Sequence, residues 1–293
     1  MLIYPDAGHM DTISALAFSR DDISFASASH DEVVIIWAVA SDRKQMRIRP
    51  GHAIHSLAYT PDGRFLIAGA SDGTLHLWDA QTYKPIRTLR KTFAAVKFIL
   101  FLPDGSLMTT GSTEGVCDVW ETAKLEARKP LSVLRGHRGA ICAAAFPLDH
   151  WRIITASDDG SSRIWNAETG EALVILHEYT GPIWTVTFSS DDKHIASRSS
   201  DTTEKVCNSY ARGEQDSLNR HDSMLNAVEF SPHGKFIASA GSDNTVRQWK
   251  ASDRLKYTAY SEHKVNANAA SGEYSINCMH TYWGSTILAS RLY

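Results

Sequence analysis

Residues 51–79, GHAIHSLAYTPDGRFLIAGASDGTLHLWD, carry three short apolar runs separated by polar punctuation. Ile54, Leu57 and Tyr59 belong to the first run, Phe65 to Ala68 to the second, and Leu75, Leu77 and Trp78 to the third. Pro61-Asp62-Gly63 parts the first two runs and Ser71-Asp72-Gly73 the last two. Proline presets φ and glycine accepts φ > 0, so both trios suit tight turns. Short alternating runs joined in this way predict an antiparallel three-stranded meander.

The same pattern returns along the chain. Tryptophans close the third run at Trp37, Trp78, Trp120, Trp165 and Trp249, with spacings of 41, 42, 45 and 84 residues. The last spacing is two periods, and Cys207 in SDTTEKVC stands at the skipped marker. Six units are therefore in register. Six residues before the marker stand Asp31, Asp72, Glu114, Asp159, Asp201 and Asp243; ten before it stand Ser27, Ala68, Thr110, Thr155, Ser197 and Ser239. Histidines open four units, at His9, His52, His137 and His221. The turn after the first run reads SRDD, TPDG, LPDG, PLDH, SSDD and SPHG. A period of about 40–45 residues is that of four-stranded propeller blades.

With four kinds of position in step over six units, the chain resembles the WD-repeat β-propeller family over nearly its whole length. The strict Trp-Asp pair occurs once among the markers, at Trp78-Asp79. The stretch TGEALVILHEYTGPIWTVTFSSDDKHIAS is also similar to repeats at the C-termini of fungal NTPase-linked regulatory proteins. That similarity raises the expectation of a module cut from a longer protein. The resemblance implies an all-β fold: a single seven-bladed propeller over residues 1–293, with blades at roughly 5–49, 50–90, 91–134, 135–176, 177–218, 219–260 and 261–293. The seventh is degenerate, with VNANAAS where an alternating run belongs. Residues 1–4 are expected to supply its outer strand and so close the ring, since closure removes unpaired sheet edges.

The resemblance also assigns the recurring residues. Ser, His and Asp together invite a hydrolase reading, but a nucleophile is needed once and not in every blade. The family instead implies a buried tetrad in which the indole points to the hydroxyl, the hydroxyl to the imidazole and the imidazole to the carboxylate. Three sets are complete: His9/Ser27/Asp31/Trp37, His137/Thr155/Asp159/Trp165 and His221/Ser239/Asp243/Trp249. The second unit keeps His52, Asp72 and Trp78 but has Ala68 for the hydroxyl; the third lacks the histidine; the fifth lacks histidine and tryptophan.

Composition narrows the rest. Net charge is −3 and charged residues make up 22% of the chain, so no overall basicity calls for nucleic acid. No apolar run approaches the roughly 18–20 residues of a membrane span. MLIYPDAGHM lacks the features of a signal peptide. Cys117, Cys142, Cys207 and Cys278 form no CxxC pair, which favours a reduced cytoplasmic or nuclear protein over a disulfide framework. Nucleotide-binding glycine motifs and HExxH are missing from the sequence, so neither cofactor nor metal is expected.

Recognition is expected at positions that do not recur. The residue after the one opening each inner strand is Ser14, His55, Lys97, Cys142, Trp184 or Asn226; the residue before the turn acid is His30, Ser71, Thr113, Asp158, Ser200 or Ser242. The family implies that these two rings face partners near the channel mouth. Trp184 is the anchor type that dominates interfaces, and Lys97 with His55 suits an acidic or phosphorylated peptide. The expected function is a non-catalytic platform for protein or peptide partners within an assembly. One alternative is binding of phosphate, phosphoinositide or nucleic acid through Arg43, Lys44, Arg47, Arg49, Arg87, Arg90 and Lys91 on the outer edges of the first two blades. Another is an enzyme with an axial active site.

Overall fold

The structure is a computed structural model, and it describes residues 8–40, 44–90, 94–126, 129–177, 179–201, 203–210, 215–217, 225–243 and 245–250. The strands β1 (Ile13–Phe18), β2 (Ser24–Ser29), β3 (Val34–Ala38) and β4 (Lys44–Ile48) form the first sheet, paired in that order. The second holds β5 (Ile54–Tyr59), β6 (Phe65–Ala70), β7 (Thr74–Asp79) and β8 (Pro85–Arg90). The third holds β9 (Val96–Phe101), β10 (Leu107–Ser112), β11 (Val116–Glu121) and β12 (Ser132–Arg135). The fourth is β13 (Ile141–Ala145), β14 (Arg152–Ser157), β15 (Ser161–Asn166) and β16 (Ala172–His177). The fifth is β17 (Ile183–Phe188), β18 (His194–Ser199), β19 (Glu204–Asn208) and β20 (Gln215–Ser217), and the sixth is β21 (Leu225–Phe230), β22 (Phe236–Gly241) and β23 (Val246–Lys250). All pairings are antiparallel, and a 3₁₀ turn at Thr122–Lys124 is the helical element among the described residues. The expected seventh blade over 261–293 and the closing strand over 1–4 lie outside the described residues.

One turn explains the punctuation between the first two strands of every sheet. Its fourth residue is left-handed in all six copies: Asp22, Gly63, Gly105, His150, Asp192 and Gly234, with φ between 58° and 74°. In five copies the N–H of that residue returns to the carbonyl three residues back, as in Asp22 to Ser19 and Gly63 to Thr60. Glycine enters this region freely, and Asp and His are among the few other side chains that do so readily. The varied spellings DD, DG, DH and HG therefore encode one backbone path.

The chain forms two compact units, Met1–Gly136 with Glu168–Gly170, and His137–Ala167 with Glu171–Tyr293. In the first unit the inner strands β1, β5 and β9 lie side by side. Ser14 Oγ donates to the carbonyls of Ala28 and Ile54, and Ser56 Oγ donates to that of Val96 at 3.2 Å, which sets neighbouring inner strands in one register. Below these bonds Ala26, Ala28, Ile36, Ile54, Leu57 and Leu66 make a dry layer. Burial of each larger aliphatic contributes about 1.5–3 kcal/mol. In the second unit β13 packs on β17 and β17 on β21, around Ile154, Ile164, Ile183, Val186 and Phe188.

The first sheet differs from the second at matching positions. Ile54, Leu57 and Tyr59 are at most 9% exposed, whereas Ile13, Leu16 and Phe18 on β1 are 41%, 56% and 63% exposed. Among the described residues, that apolar face of β1 is uncovered.

Close approach of strands fixes one glycine. A Cβ on Gly69 of β6 would meet Val96 Cγ1 at 2.6 Å and would also collide with Ser56 Oγ. Gly69→Ala is expected to destabilise the first unit by about 1–3 kcal/mol through overpacking. The check is a lowered denaturant midpoint with an unchanged slope.

Candidate functional site

The recurring polar residues meet inside the first and fourth sheets. In the first, Trp37 Nε1 donates to Ser27 Oγ at 2.8 Å, Ser27 Oγ lies 2.7 Å from His9 Nε2, and His9 Nδ1 lies 3.1 Å from both Asp31 carboxylate oxygens. In the fourth, Trp165 Nε1 donates to Thr155 Oγ1 at 2.8 Å, Thr155 Oγ1 lies 2.8 Å from His137 Nε2, and His137 Nδ1 lies 3.1 Å from Asp159 Oδ2. The indole can only donate, so the hydroxyl accepts from it; a ring with its proton on Nδ1 facing the carboxylate leaves Nε2 free to take the hydroxyl's own hydrogen. All of these histidine side chains are almost wholly buried.

The electrostatics agree with a neutral ring. Burial pushes the His137 pKa below the usual histidine value, outweighing the pull of Asp159. Burial would raise the Asp159 carboxyl, but the Ser161 hydroxyl, the N–H groups of Arg138 and Ser161, and His137 together hold it far below the ordinary carboxylate range. A hydroxyl clamped between indole and imidazole in a sheet interior has no room for a substrate. These quartets hold the sheets together.

The other sheets keep parts of the relay. Trp249 Nε1 donates to Ser239 Oγ at 2.9 Å, while His221 lies outside the described residues. Trp120 Nε1 reaches Thr110 Oγ1 at 3.3 Å in the third sheet.

The second sheet corrects the expectation for His52. Its side chain is 51% exposed and its Nε2 stands 3.7 Å from Asp72, with no hydroxyl at Ala68 to draw it in. The reason is spacing. His9 and His137 each precede their aspartate by 22 residues, but His52 precedes Asp72 by only 20, which places it outside the pocket. Trp78 instead stacks on His76, with ring centroids 5.5 Å apart and planes 9° apart, and His76 lies directly across from Ala68.

In the fifth sheet the same spacing of 22 before Asp201 falls on Tyr179, which sequence reasoning passed over. Its hydroxyl bonds the Ser197 carbonyl at 2.7 Å and Ser197 Oγ at 2.8 Å. Measured from the aspartate and not from the tryptophan, the count would have found it.

The positions expected to face partners are placed as follows. Ser14 is half-buried with its hydroxyl engaged on two carbonyls. His55 is half-buried, His30 is exposed, and their rings meet edge to face with centroids 5.1 Å apart. Lys97 is exposed. Cys142 Sγ donates to Asp158 Oδ1 at 2.9 Å, which joins two of these positions within one sheet. Trp184 is 37% exposed, although Ile183 before it is buried and Thr185 after it half-buried. The Asn226 side chain lies outside the described residues.

The basic edge is only partly described. Arg47 Nη2 donates to the Gly8 carbonyl at 2.7 Å and thereby ties β4 to the segment before β1. A further cationic group was not singled out in the sequence. Arg152 is fully buried, bonded to the Asp149 carboxylate, the Ser209 carbonyl at 3.2 Å and the Tyr210 hydroxyl at 2.9 Å, with its guanidinium 4.1 Å from the Tyr210 ring centroid. Burial and partner count make it an internal brace. Cys117 and Cys207 are buried, and burial pushes the Cys117 thiol far up, so it is inert. Among the described residues no group of three or more metal-ligating side chains converges, and no helix is long and apolar enough to cross a membrane.

Repeated antiparallel sheets, each carrying an internal polar quartet or a remnant of one, define a sheet-repeat protein. The WD domain, G-beta repeat description matches residues 3–38, 43–79, 128–166, 170–203 and 213–250, more than half of the chain. The chain belongs to the WD-repeat family. Each match after the first starts at or near the outer strand of one sheet and ends in the next, as with β4 to β7 over 43–79, so a repeat stitches two sheets.

Apoptotic protease-activating factor 1 of Rattus norvegicus is 23% identical over 167 residues, covering 57% of this chain and 13% of the relative. The small ribosomal subunit protein RACK1 of Brassica napus is 30% identical over 84 residues, 29% of this chain and 25% of the relative. The chain thus spans an eighth to a quarter of the length of these curated relatives. Among solved structures, the computationally designed Ika8 protein matches with a TM-score of 0.69 at 26% identity, covering 85% of this chain and 74% of that one. The family and the RACK1-like relatives support a protein-interaction scaffold in general terms.

Two outcomes follow from the quartet geometry. Trp165→Ala is expected to cost about 3–5 kcal/mol through lost aromatic burial, read as a shift of the denaturation midpoint. The pH dependence has a definite sign. His137 has a folded pKa below its unfolded one, so stability falls once pH drops below about 6.5, where the unfolded chain takes up the proton first. The lowered Asp159 adds stability that is present above the unfolded carboxylate pKa of about 4 and lost below it. Melting temperature should therefore fall from neutral pH downward, and a His137→Gln variant should lose the part that sets in below about pH 6.5.

Proposed function

We infer that this chain is a seven-bladed propeller acting as a non-catalytic platform for protein or peptide partners in an assembly. The observation that carries the reading is a division of roles. Recurring polar side chains are turned inward and bonded to one another, whereas the non-recurring Trp184, His30 and Lys97 stay exposed. An indole exposed at the start of an inner strand is the residue type that anchors interfaces. In this reading residues 261–293 supply the seventh blade and residues 1–4 its outer strand. Two relatives carry names consistent with a role in larger assemblies, a protease-activating factor and a ribosomal subunit protein.

The test is capture of partners from cell extract on the tagged protein, with crosslinks mapped by mass spectrometry. Trp184→Ala, a substitution at an exposed side chain, should leave the melting temperature in place and reduce capture about tenfold or more. An unchanged set of partners, crosslinked away from Trp184, would exclude this site.

A further inference from the structure

Three side chains of the first unit stand together without partners. Ser14 Oγ on the Ile54 carbonyl and Ser56 Oγ on the Val96 carbonyl hold β1, β5 and β9 in register, so His55 and Lys97, each next in chain to the accepting residue, start their strands at one level. His30 is held at the same end by its own N–H on the Thr12 carbonyl at 3.0 Å, and its ring rests edge-on against His55 at 5.1 Å. Ser71 and Thr113 occupy the equivalent turn positions, each with its N–H on the residue before its inner strand. Among the described residues, neither imidazole nor the Lys97 ammonium has a side-chain hydrogen bond or ion pair.

Nearby carboxylates are engaged elsewhere. Asp31 accepts from His9, Met10 N–H and Val33 N–H, and Asp72 from the N–H and hydroxyl of Thr74. The strands packed on β5 contribute few titratable groups: none from β1, β2 or β6, and Lys97 alone from β9. Among the described residues, Lys97 and the two imidazoles thus lack a bonded carboxylate. The His55 proton is disfavoured first by burial and then by the nearby Lys97 and His30.

We propose that His30, His55 and Lys97 bind a phosphate monoester, presented by a phosphorylated serine or threonine of a partner peptide. The proposal rests on the platform reading and names the ligand chemistry of one part of that surface. A doubly charged phosphate supplies the missing counter-charge and enough oxygens for both rings, the ammonium and the flanking hydroxyls of Ser71 and Thr113. A carboxylate brings half the charge and two oxygens. Binding draws a proton onto His55, so affinity rises as pH falls from 7.5 toward 6.5, while phosphate is still largely dianionic.

The probe is O-phospho-L-serine, titrated into the whole chain while the imidazole resonances of His30 and His55 are followed by NMR. The expected result is a saturable shift of both histidines, tighter by about threefold or more at pH 6.5 than at 7.5, with the His55 pKa raised on saturation. Lys97→Gln, a change at an exposed side chain, should weaken binding about fivefold or more and leave the melting temperature alone. L-Serine and acetate should leave the resonances in place. Shifts that do not saturate, that match those with acetate, or that survive Lys97→Gln overturn the proposal. So does retention on phosphoinositide vesicles without a response to phosphoserine, which points to a lipid headgroup. Failure here with Trp184-dependent capture intact removes only the phosphate assignment; loss of Trp184 dependence removes the platform reading itself.

Discussion

A one-way relay of hydrogens, from indole to hydroxyl to imidazole to carboxylate, is the constraint on which these sheets depend. Buried donors and acceptors must be matched in number as well as position. Only a neutral imidazole offers one of each at opposite corners of a rigid ring, and that ring spans from the hydroxyl in mid-strand to the acid at the turn. The relay therefore links three places that are distant in sequence: the approach to the inner strand, the middle of the second strand and the turn into the third. In the second sheet, where Ala68 stands in place of that hydroxyl, Trp78 stacks on His76 instead.

The carboxylate persists more widely than the histidine because it has a second task. Asp31, Asp72, Asp159, Asp201 and Asp243 each accept the N–H of the residue two further on, and so shape the turn whether or not an imidazole is present. In the fifth sheet Tyr179 satisfies Ser197 but does not bond the acid, and Asp201 is served by the N–H of Thr180 and the hydroxyl of Thr203. The relay thus separates into two halves, a turn that any aspartate can hold and a mid-strand hydroxyl that needs a donor or acceptor from above. Histidine joins the halves; tyrosine serves one of them.

This separation sets what the sequence can disclose. Strand order and turn position were legible from the 41–45 residue period, because turn chemistry at positions such as Asp22, Gly63 and His150 follows from φ > 0 and is local. The relays at His9 and His137 were legible because their offsets of 22 and 10 residues repeat. Tyr179 was not, since a search by residue type cannot see a different side chain doing half of the same work. His52 was misplaced for the opposite reason: the right residue stands two positions away from where geometry needs it. Arg152 gave no signal, because its partners at Ser209 and Tyr210 are some 57 and 58 residues away and belong to the next sheet.

The same economy explains why recognition can vary while the scaffold stays fixed. Five of the residues before the turn acid are held by their backbone N–H on the residue preceding their own inner strand: His30 to Thr12, Ser71 to Ala53, Thr113 to Ala95, Asp158 to Ala140 and Ser200 to Pro182. No side chain takes part in that bond. A histidine, serine, threonine or aspartate can therefore occupy the position with the backbone unmoved, and the chemistry offered to a partner changes at constant spacing. The first unit places His30 against His55 at such positions, and the second places Asp158 against Cys142. Under the proposed function, a partner would meet groups already held in place by the sheet, so little ordering cost would fall on binding.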